Sequence, residues 1–206
     1  MEQEWLYSSK NKKSYMEHFF QNLGENWFTY PNLYRSVVDK FNDGSHFVEI
    51  GSWKGRSACF LGVEIVNSGK NIKFDCVDLW SVTEEEIIGG GLDINLAKDD
   101  NLYKTFIKNI EPLKNIINPI RQSSINASKI YKDNSLDFVF IDAGHDYKSI
   151  KEDIEHWFVK VRYGGIIAGH DYSWGPDVQR AVDEFFGKNN IQESEGCWIY
   201  YKNENL

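Results

Sequence analysis

Residues 47–57, FVEIGSWKGRS, constrain the fold of this chain more than any other stretch. The apolar residues before Gly51 are typical of a strand covered on both faces, and glycine allows a sharp turn and close approach to a ligand. The helix expected from Gly55 onward would direct its free N–H groups toward that turn. Glu49 places a carboxylate where a core strand would carry an apolar residue. The stretch therefore predicts a strand–turn–helix unit that binds a cationic or hydroxyl-bearing ligand above the sheet.

The composition bounds the class of protein. The chain has 206 residues, of which 41% are hydrophobic, and this favours one domain with an ample core. The net charge is −8 without a basic block, which disfavours nucleic acid as a partner. No apolar run is long enough to span a bilayer, and the N-terminus lacks the pattern of a secretion signal. Cys59, Cys76 and Cys197 are expected to be free thiols, so we predict a cytoplasmic protein without membrane contact.

Strand and helix patterns alternate along the chain from residue 46 onward. The segments with strand character are residues 46–50, 74–80, 116–120, 136–141 and 166–169. The segments with helical character are residues 55–67, 102–110, 125–131, 150–161 and 176–186. Residues 191–193 and 198–201 could form an antiparallel hairpin. This alternation predicts an α/β fold with a doubly wound parallel sheet and helices on both faces.

The N-terminal part precedes that alternation. Residues 13–23 and 31–41 carry apolar stripes at helical spacing, so each predicts a helix. We therefore expect an N-terminal helical extension over residues 1–44, followed by the main domain at residues 45–206. The aromatic side chains of these helices could supply the surface of a homo-oligomer.

Two further signals concern the sheet edge and a long connection. Gly89, Gly90 and Gly91 argue against a stable helix between residues 83 and 101, so a mobile lid or insertion is expected there. Pro119 lacks a backbone N–H, so the strand around it is expected at the edge of the sheet.

Four predicted strands end in a carboxylate: Glu49, Asp78, Asp142 and Asp171. Ligands of open α/β sheets bind beyond the carboxyl ends of the strands, so we expect these side chains along one crevice. Asp78 follows Gly51 by about 27 residues, and an acid in this place can accept both ribose hydroxyls of a nucleotide.

The glycine turn differs from the dinucleotide fingerprint. The G-x-G-x-x-G motif needs three glycines, whereas Ser52 and Trp53 occupy its tight part here. Trp53 leaves little room for a pyrophosphate, so a nucleoside without phosphates fits better. Ser123 and Ser124 follow the third predicted strand, near the expected place of an adenine ring.

Three motifs in order resemble those of a known family. The segments VEIGSWKGRS at residues 48–57, FIDAGHDY at 140–147 and YGGIIAGHDY at 163–172 are similar to class I S-adenosylmethionine-dependent methyltransferases. Within that class they resemble the metal-dependent O-methyltransferases of small molecules and macrolide sugars. The resemblance covers residues 45–186 and implies a Rossmann-like, mostly parallel seven-stranded sheet with an antiparallel last strand.

The resemblance also implies site residues. The expected contacts of S-adenosylmethionine are Glu49, Gly51, Ser52, Trp53, Gly55, Ser57, Asp78, Leu79, Ser123, Ser124 and Asp142. The metal-binding acids of the family fall on Asp142, His170 and Asp171, although the family more often has two adjacent acids at the last pair. Catechol-type relatives place a lysine base at the position of His145.

These residues suggest a mechanism for transfer to a small-molecule hydroxyl. A metal on Asp142 and Asp171 would hold the acceptor and lower its pKa, and His145 would remove the proton. Oxygen ligands alone favour magnesium, and His170 makes manganese, iron or zinc more plausible. Alternatively, His170 binds no metal and orients Tyr172 or the substrate.

Other functions stay open at this point. A nicotinamide oxidoreductase would share the sheet, although the third glycine is missing. A hydroxylase-like oxygenase could use His145, His170 and a carboxylate, which resemble an iron-binding triad in content. A catalytically idle domain would only bind a nucleoside or sugar. Trp80, Tyr172 and Trp174 would stack on a sugar or aromatic ring, or else are part of the pocket structure.

Overall fold

The computed structural model describes residues 15–82, 87 and 90–203. The strands are β1 (His46–Ile50), β2 (Lys73–Asp78), β3 (Ile117–Arg121), β4 (Leu136–Ile141), β5 (Val161–Gly169), β6 (Gln192–Ser194) and β7 (Cys197–Tyr201). The α-helices whose first and last residues are both described are α1 (Pro31–Lys40), α2 (Arg56–Ser68), α3 (Asn101–Ile110), α4 (Ser124–Ser128), α5 (Tyr147–Phe158) and α6 (Pro176–Phe186). Within the described ranges, no helix has the length and apolar character to cross a membrane.

All seven strands form one sheet in the order β3-β2-β1-β4-β5-β7-β6. The five strands from β3 to β5 pair in parallel, β7 pairs antiparallel with β5, and β6 pairs antiparallel with β7. The predicted doubly wound, mostly parallel sheet with an antiparallel last strand is confirmed. β3 is an edge strand, as its Pro119 predicts. The strand order reverses between β1 and β4, and ligands of such sheets bind at that crevice.

Side chains alternate along the strands and so separate two hydrophobic cores. Phe47 and Phe138 point to the face covered by α1, α2 and α3. Val48 and Val139 point to the face covered by α4, α5 and α6. All of β4 is buried, as expected for a central strand with helices on both faces. The three cysteines are free and buried, which confirms the prediction of free thiols.

The predicted helix at residues 13–23 is wrong in its described part, which begins at residue 15. Apart from one 3-10 turn, Phe20–Asn22, the chain there is irregular. The Met16 N–H and C=O bond to the side chain of Asn67 on α2 at 2.8 and 3.0 Å, so they need no helical partner. The His18 ring stacks on Phe60 of α2, and the Phe20 ring packs against the same ring edge-on. Tertiary packing on α2 therefore replaces the predicted helix, whereas the second predicted helix is present as α1.

The prediction that Val161 belongs to the preceding helix is also wrong. Val161 begins β5, where it pairs with Leu136 of β4. Gly164 and Gly165 lie inside the strand, next to a shift in its register, and Gly164 has φ +77°. A Cβ on Gly165 would lie 2.9 Å from the backbone oxygen of Asp137. The glycines thus form an irregularity within a strand, not the stop before one.

The structure describes only part of residues 83–101, where a lid or insertion is predicted. Residues 83–86 and 88–89 lie outside the described residues. Ile87 is buried in the core, and Leu96, in the 3-10 turn Ile94–Ala97, packs against the same core. The described portion of this connection is therefore packed against the face that carries α2 and α3.

Candidate active site

The glycine turn after β1 joins the ends of two strands. Gly51 has φ +85°, and a Cβ there would lie 1.9 Å from the backbone oxygen of Asp142. The Asp142 N–H donates to the Ile50 carbonyl at 2.8 Å, which fixes the ends of β1 and β4 side by side. Gly55, with φ +83°, then turns the chain into α2. Only glycine permits the close approach at position 51.

A cleft of about 930 Å³ lies beyond the carboxyl ends of β1, β2, β4 and β5. Its walls include most residues predicted for the site: Gly51, Trp53, Asp78, Leu79, Ser123, Ser124, Asp142, His145, His170 and Asp171. The predicted residues outside these walls are Glu49, Ser52, Gly55 and Ser57. Ser52 and Ser57 border a smaller cavity that also touches Gly51 and Asp142. Three of the four strand-end acids therefore converge on the cleft, and Glu49 does not.

Glu49 is buried beside the cleft, with 1% of its surface exposed. Its carboxyl accepts hydrogen bonds from the Tyr34 hydroxyl at 2.6 Å and from the Ser57 hydroxyl at 3.1 Å. Burial raises the pKa of Glu49 to about 7 because desolvation disfavours the charged form. The expected contact of Glu49 with a cationic ligand stays a prediction.

Asp78 organises the turns on both sides of it. One carboxylate oxygen accepts the Trp53 N–H at 2.9 Å, and the other accepts the Trp80 N–H at 2.7 Å. Both tryptophans have φ +46°, a conformation uncommon for residues other than glycine. Burial raises the pKa of Asp78. The carboxylate also lines the cleft, where a ligand hydroxyl can approach it.

An acid–histidine cluster lies at the other end of the cleft. One possible ligand atom from each of Asp142, His170 and Asp171 lies within 4.8 Å of the other two. His170 is buried, whereas both acids are partly exposed. Asp171 has φ +61°, which sets its carboxylate next to His170, with Nδ1 and Oδ1 3.3 Å apart. The three predicted metal ligands are therefore brought together.

His145 lies against the same two acids. Its Nε2 is 2.7 Å from Asp171 Oδ2 and 3.7 Å from Asp142 Oδ1. The carboxylates of Asp142 and Asp171 stabilise the charged imidazole and raise the pKa of His145 to about 10. In this arrangement the ring is protonated at neutral pH, whereas a general base must be neutral.

The segment before α1 supplies two residues that the sequence did not reveal. The Tyr30 hydroxyl donates to Asp142 Oδ2 at 3.0 Å, and the Thr29 hydroxyl bonds to His170 Nε2 at 3.0 Å. Burial raises the pKa of Tyr30, so its hydroxyl remains a donor. These residues belong to no motif and lie far from the acids in sequence, so no local pattern could have found them.

Among the aromatic candidates, the structure distinguishes wall from core. Trp80 is 1% exposed and packs on Phe106, and the Tyr172 hydroxyl is bonded to Asp183 at 2.6 Å. Neither residue lines the cleft, and both belong to the hydrophobic cores beside it. Trp174 is 57% exposed and lines the cleft, and Trp27, which was not predicted, is 53% exposed and lines it as well.

The remaining histidines lie outside the cleft. His18 bonds to Glu64 at 2.8 Å, and His46 bonds to Asp75 at 2.7 Å. His156 contacts the backbone of its own helix. None of the three lines the cleft.

Asp153 is a further wall residue that the sequence analysis missed. It lies on the buried face of α5 with Ile150, Ile154 and Trp157. An acid at a core position of an amphipathic helix was the available signal.

Comparisons with known proteins agree with this geometry. A family model described as a methyltransferase domain matches residues 48–172. An uncharacterized protein, R132, of Acanthamoeba polyphaga mimivirus is 25% identical over 169 residues, which are 79% of this chain and 69% of that protein. The family match runs from β1 to just beyond β5 and so includes both the glycine turn and the acid–histidine cluster.

Solved structures show the same fold. The O-methyltransferase NovP superposes with a TM-score of 0.62 at 16% identity, covering 84% of this chain and 79% of NovP. Cofactor-bound Rv0187 from MTB gives 0.63 at 12% identity, with 89% and 85% covered. Fibrillarin of Aeropyrum pernix, bound to S-adenosyl-L-methionine, gives 0.51 at 10% identity, with 82% and 72% covered. Because the family model spans more than half of the chain, and the fold agrees, this protein belongs to the methyltransferase-domain family and has the class I methyltransferase fold.

Proposed function

We propose that this protein transfers a methyl group from S-adenosylmethionine to a hydroxyl of a small molecule, with help from a divalent metal. One observation carries the proposal: the glycine turn at Gly51, the strand-end acid Asp78 and the cluster around Asp142 share one cleft. Methyl transfer requires that a nucleoside cofactor and an acceptor lie side by side in such a space.

The cleft suits a nucleoside without phosphates. Its volume of about 930 Å³ is at the upper end of ligand pockets, so it can take a cofactor and a small acceptor together. Its described walls contain no lysine or arginine, the side chains that usually bind phosphate. Asp78 lines the cleft as the candidate acceptor for ribose, and the bound S-adenosyl-L-methionine of fibrillarin is consistent with this cofactor.

The acid–histidine cluster fits a divalent metal. Asp142 and Asp171 offer carboxylate oxygens, and His170 offers an imidazole nitrogen, within 4.8 Å of one another. Such a mixed set suits manganese or magnesium more than calcium, which takes six to eight oxygens. When bound, the metal would polarise an acceptor hydroxyl and lower its pKa.

The chain's own residues then have distinct roles. Tyr30 orients Asp142, and Thr29 orients His170 by bonding to Nε2. His145 can take the acceptor proton only when it is neutral, so its two acid partners must be engaged elsewhere, as they are when they serve as metal ligands. Trp27 and Trp174 offer exposed rings for the body of the acceptor.

The alternatives from the sequence are less well supported. Membership of the methyltransferase-domain family argues against a nicotinamide oxidoreductase. The same membership argues against a hydroxylase-like oxygenase, although His145 and His170 both lie beside Asp171. A domain that binds the nucleoside without catalysis is distinguished by the experiment below.

Calorimetric titration tests the proposal directly. Wild-type protein should bind S-adenosylmethionine and its demethylated product, and Asp78→Ala should weaken both about tenfold or more because ribose loses its acceptor. Asp39→Asn, an exposed change on α1, is the matched control. A labelled-methyl assay with phenols and sugars, with and without manganese, then tests turnover. Absence of cofactor binding would overturn the proposal, and binding without transfer to any acceptor would favour the non-catalytic alternative.

A further inference from the structure

Asp153 is a buried acid that the proposed chemistry does not use. It is 5% exposed and lies on the core face of α5, yet it forms part of the cleft wall. Within the described chain, its only side-chain hydrogen-bond partner is Ser124, which donates to Oδ1. The second oxygen, Oδ2, has no described donor. Oδ2 is not one of the fully enclosed atoms that lack a partner, so it is open to the cleft that Asp153 lines, and a donor from a bound ligand would stabilise it.

A short chain of hydrogen bonds fixes the polarity of this acid. The Trp157 indole N–H donates to the Ser124 oxygen at 2.8 Å, and an indole nitrogen can only donate. The Ser124 hydroxyl therefore directs its own hydrogen to Asp153 Oδ1. Asp153 thus presents an acceptor, Oδ2, toward the cleft.

The position of this acceptor follows from the rest of the site. Asp78, at the end of β2, is the proposed ribose acceptor, and Asp142 marks the reacting end. Ser123 and Ser124, which follow β3, form the remaining end of the cleft together with Asp153. The base of the nucleoside must lie at that end, because ribose joins it to the reacting sulfur.

We propose that Asp153 accepts a hydrogen bond from the exocyclic amino group of adenine and selects the cofactor's base, with Ser124 as its positioning residue. This inference rests on the proposed function. A carboxylate oxygen attracts the amino group of adenine and repels the carbonyl oxygen that hypoxanthine carries at the same place. Discrimination is therefore expected against a deaminated cofactor.

Replacement by asparagine should change the preference. In Asp153→Asn, Ser124 still donates, so the amide oxygen takes that hydrogen bond and the amide NH₂ faces the cleft. A donor there opposes the adenine amino group and matches the hypoxanthine oxygen. The variant should therefore lose its preference for adenine.

Calorimetry with S-adenosylhomocysteine and S-inosylhomocysteine tests this. The wild type should bind the adenosyl compound roughly 10- to 100-fold more tightly, the range of a hydrogen bond to a charged group. Asp153→Asn should reduce that ratio at least tenfold, whereas Glu155→Gln, an exposed change on the same helix, should leave it unchanged. Ser124→Ala should reduce it less, because the acid remains but is no longer held.

The outcomes separate the two proposals. A wild type that binds neither compound overturns the proposed function. A wild type that binds both equally overturns the role of Asp153 alone, and this result needs no variant. An Asp153→Asn protein that keeps the wild-type ratio while weakening both compounds assigns Asp153 a structural role and also overturns the inference.

Discussion

At the scale of single residues, Glu49 carries the clearest consequence for stability. Its pKa is raised by burial from 4.5 to about 7. The folded protein therefore binds this proton more tightly than the unfolded chain between these pH values. The stabilisation from protonated Glu49 is complete below about pH 4.5 and is lost as the pH rises through about 7.

Glu49→Gln should remove this pH dependence. Relative to the variant, the wild type should lose up to about 3 kcal/mol of unfolding free energy between pH 4.5 and pH 8. Urea unfolding of both proteins at several pH values measures the difference. Glutamine also changes the hydrogen bonds to Tyr34 and Ser57, which shifts the unfolding free energy by an amount that does not depend on pH. The pH dependence of the difference, and not its value at one pH, therefore reports on the pKa of Glu49. Equal pH profiles would show that Glu49 has an ordinary pKa.

Thr29 allows a second test at this scale. Thr29→Val keeps the shape of the side chain and removes the bond to His170 Nε2. Loss of such an orienting partner typically weakens metal binding about tenfold, so manganese affinity should fall while affinity for S-adenosylhomocysteine is kept. Ser36→Ala is the control, since that hydroxyl bonds only to the backbone of α1. Unchanged manganese affinity in Thr29→Val would contradict an orienting role.

At the scale of elements, the sequence was informative where periodicity was strong. The predicted bounds of β1 and β4 agree with the structure, because large apolar residues dominate both strands and turn signals flank them. The prediction of a helix at residues 13–23 was wrong because the same aromatic spacing also occurs in an irregular segment that packs on α2 and bonds to Asn67. The prediction that Val161 belongs to a helix was wrong because a glycine pair inside a strand has the same sequence signal as the end of a helix.

The turn between β1 and α2 supports a prediction with a matched control. Gly51 and Gly44 have φ of +85° and +84°, but a Cβ meets the Asp142 backbone only at Gly51, and open space at Gly44. Gly44→Ala should cost about 1–2 kcal/mol from backbone strain alone. Gly51→Ala should cost at least about 3 kcal/mol and abolish ligand binding, because backbone atoms must move as well. Denaturant unfolding compares the two, and equal losses would contradict the steric explanation.

At the scale of the whole molecule, the C-terminal hairpin contacts the start of α1, next to the segment that carries Thr29 and Tyr30. The Glu195 carboxylate, in the turn between β6 and β7, accepts the N–H groups of Asn32 and Leu33 at 3.1 and 3.2 Å. It also accepts the Asn32 side chain at 2.7 Å. The start of α1 has no cap of its own from Tyr30, so the hairpin supplies it. These hydrogen bonds to Glu195 fix the start of α1 and so hold the preceding segment, which carries Thr29 and Tyr30.

Glu195→Gln should therefore affect both stability and the site. Loss of a capping charge at a helix N-terminus costs about 1 kcal/mol, and manganese binding should weaken in parallel because Thr29 is held less firmly. Glu193→Gln, whose side chain bonds only to Ser173, should cost less. Urea unfolding and manganese titration measure both effects. A stability loss without any change in manganese affinity would separate the hairpin from the site.

The site was predictable in part for a topological reason. Parallel strands end side by side, so acids at strand ends such as Asp78, Asp142 and Asp171 converge whatever lies between them. Glu49 precedes its strand's last residue, and side chains alternate, so it faces the core beside α1 and α2. Thr29 and Tyr30 arrive through tertiary packing of the N-terminal segment, which no spacing rule encodes.

The contact between Gly51 and Asp142 joins parts of the chain that are synthesised at different times. The floor of the cleft cannot exist until β4 has left the ribosome and paired with β1, and the Glu195 turn follows later still. A chain that stops before β4 would carry the glycine turn without the wall that Asp142, His170 and Asp171 supply. Such fragments would not compete with finished enzyme for its ligands.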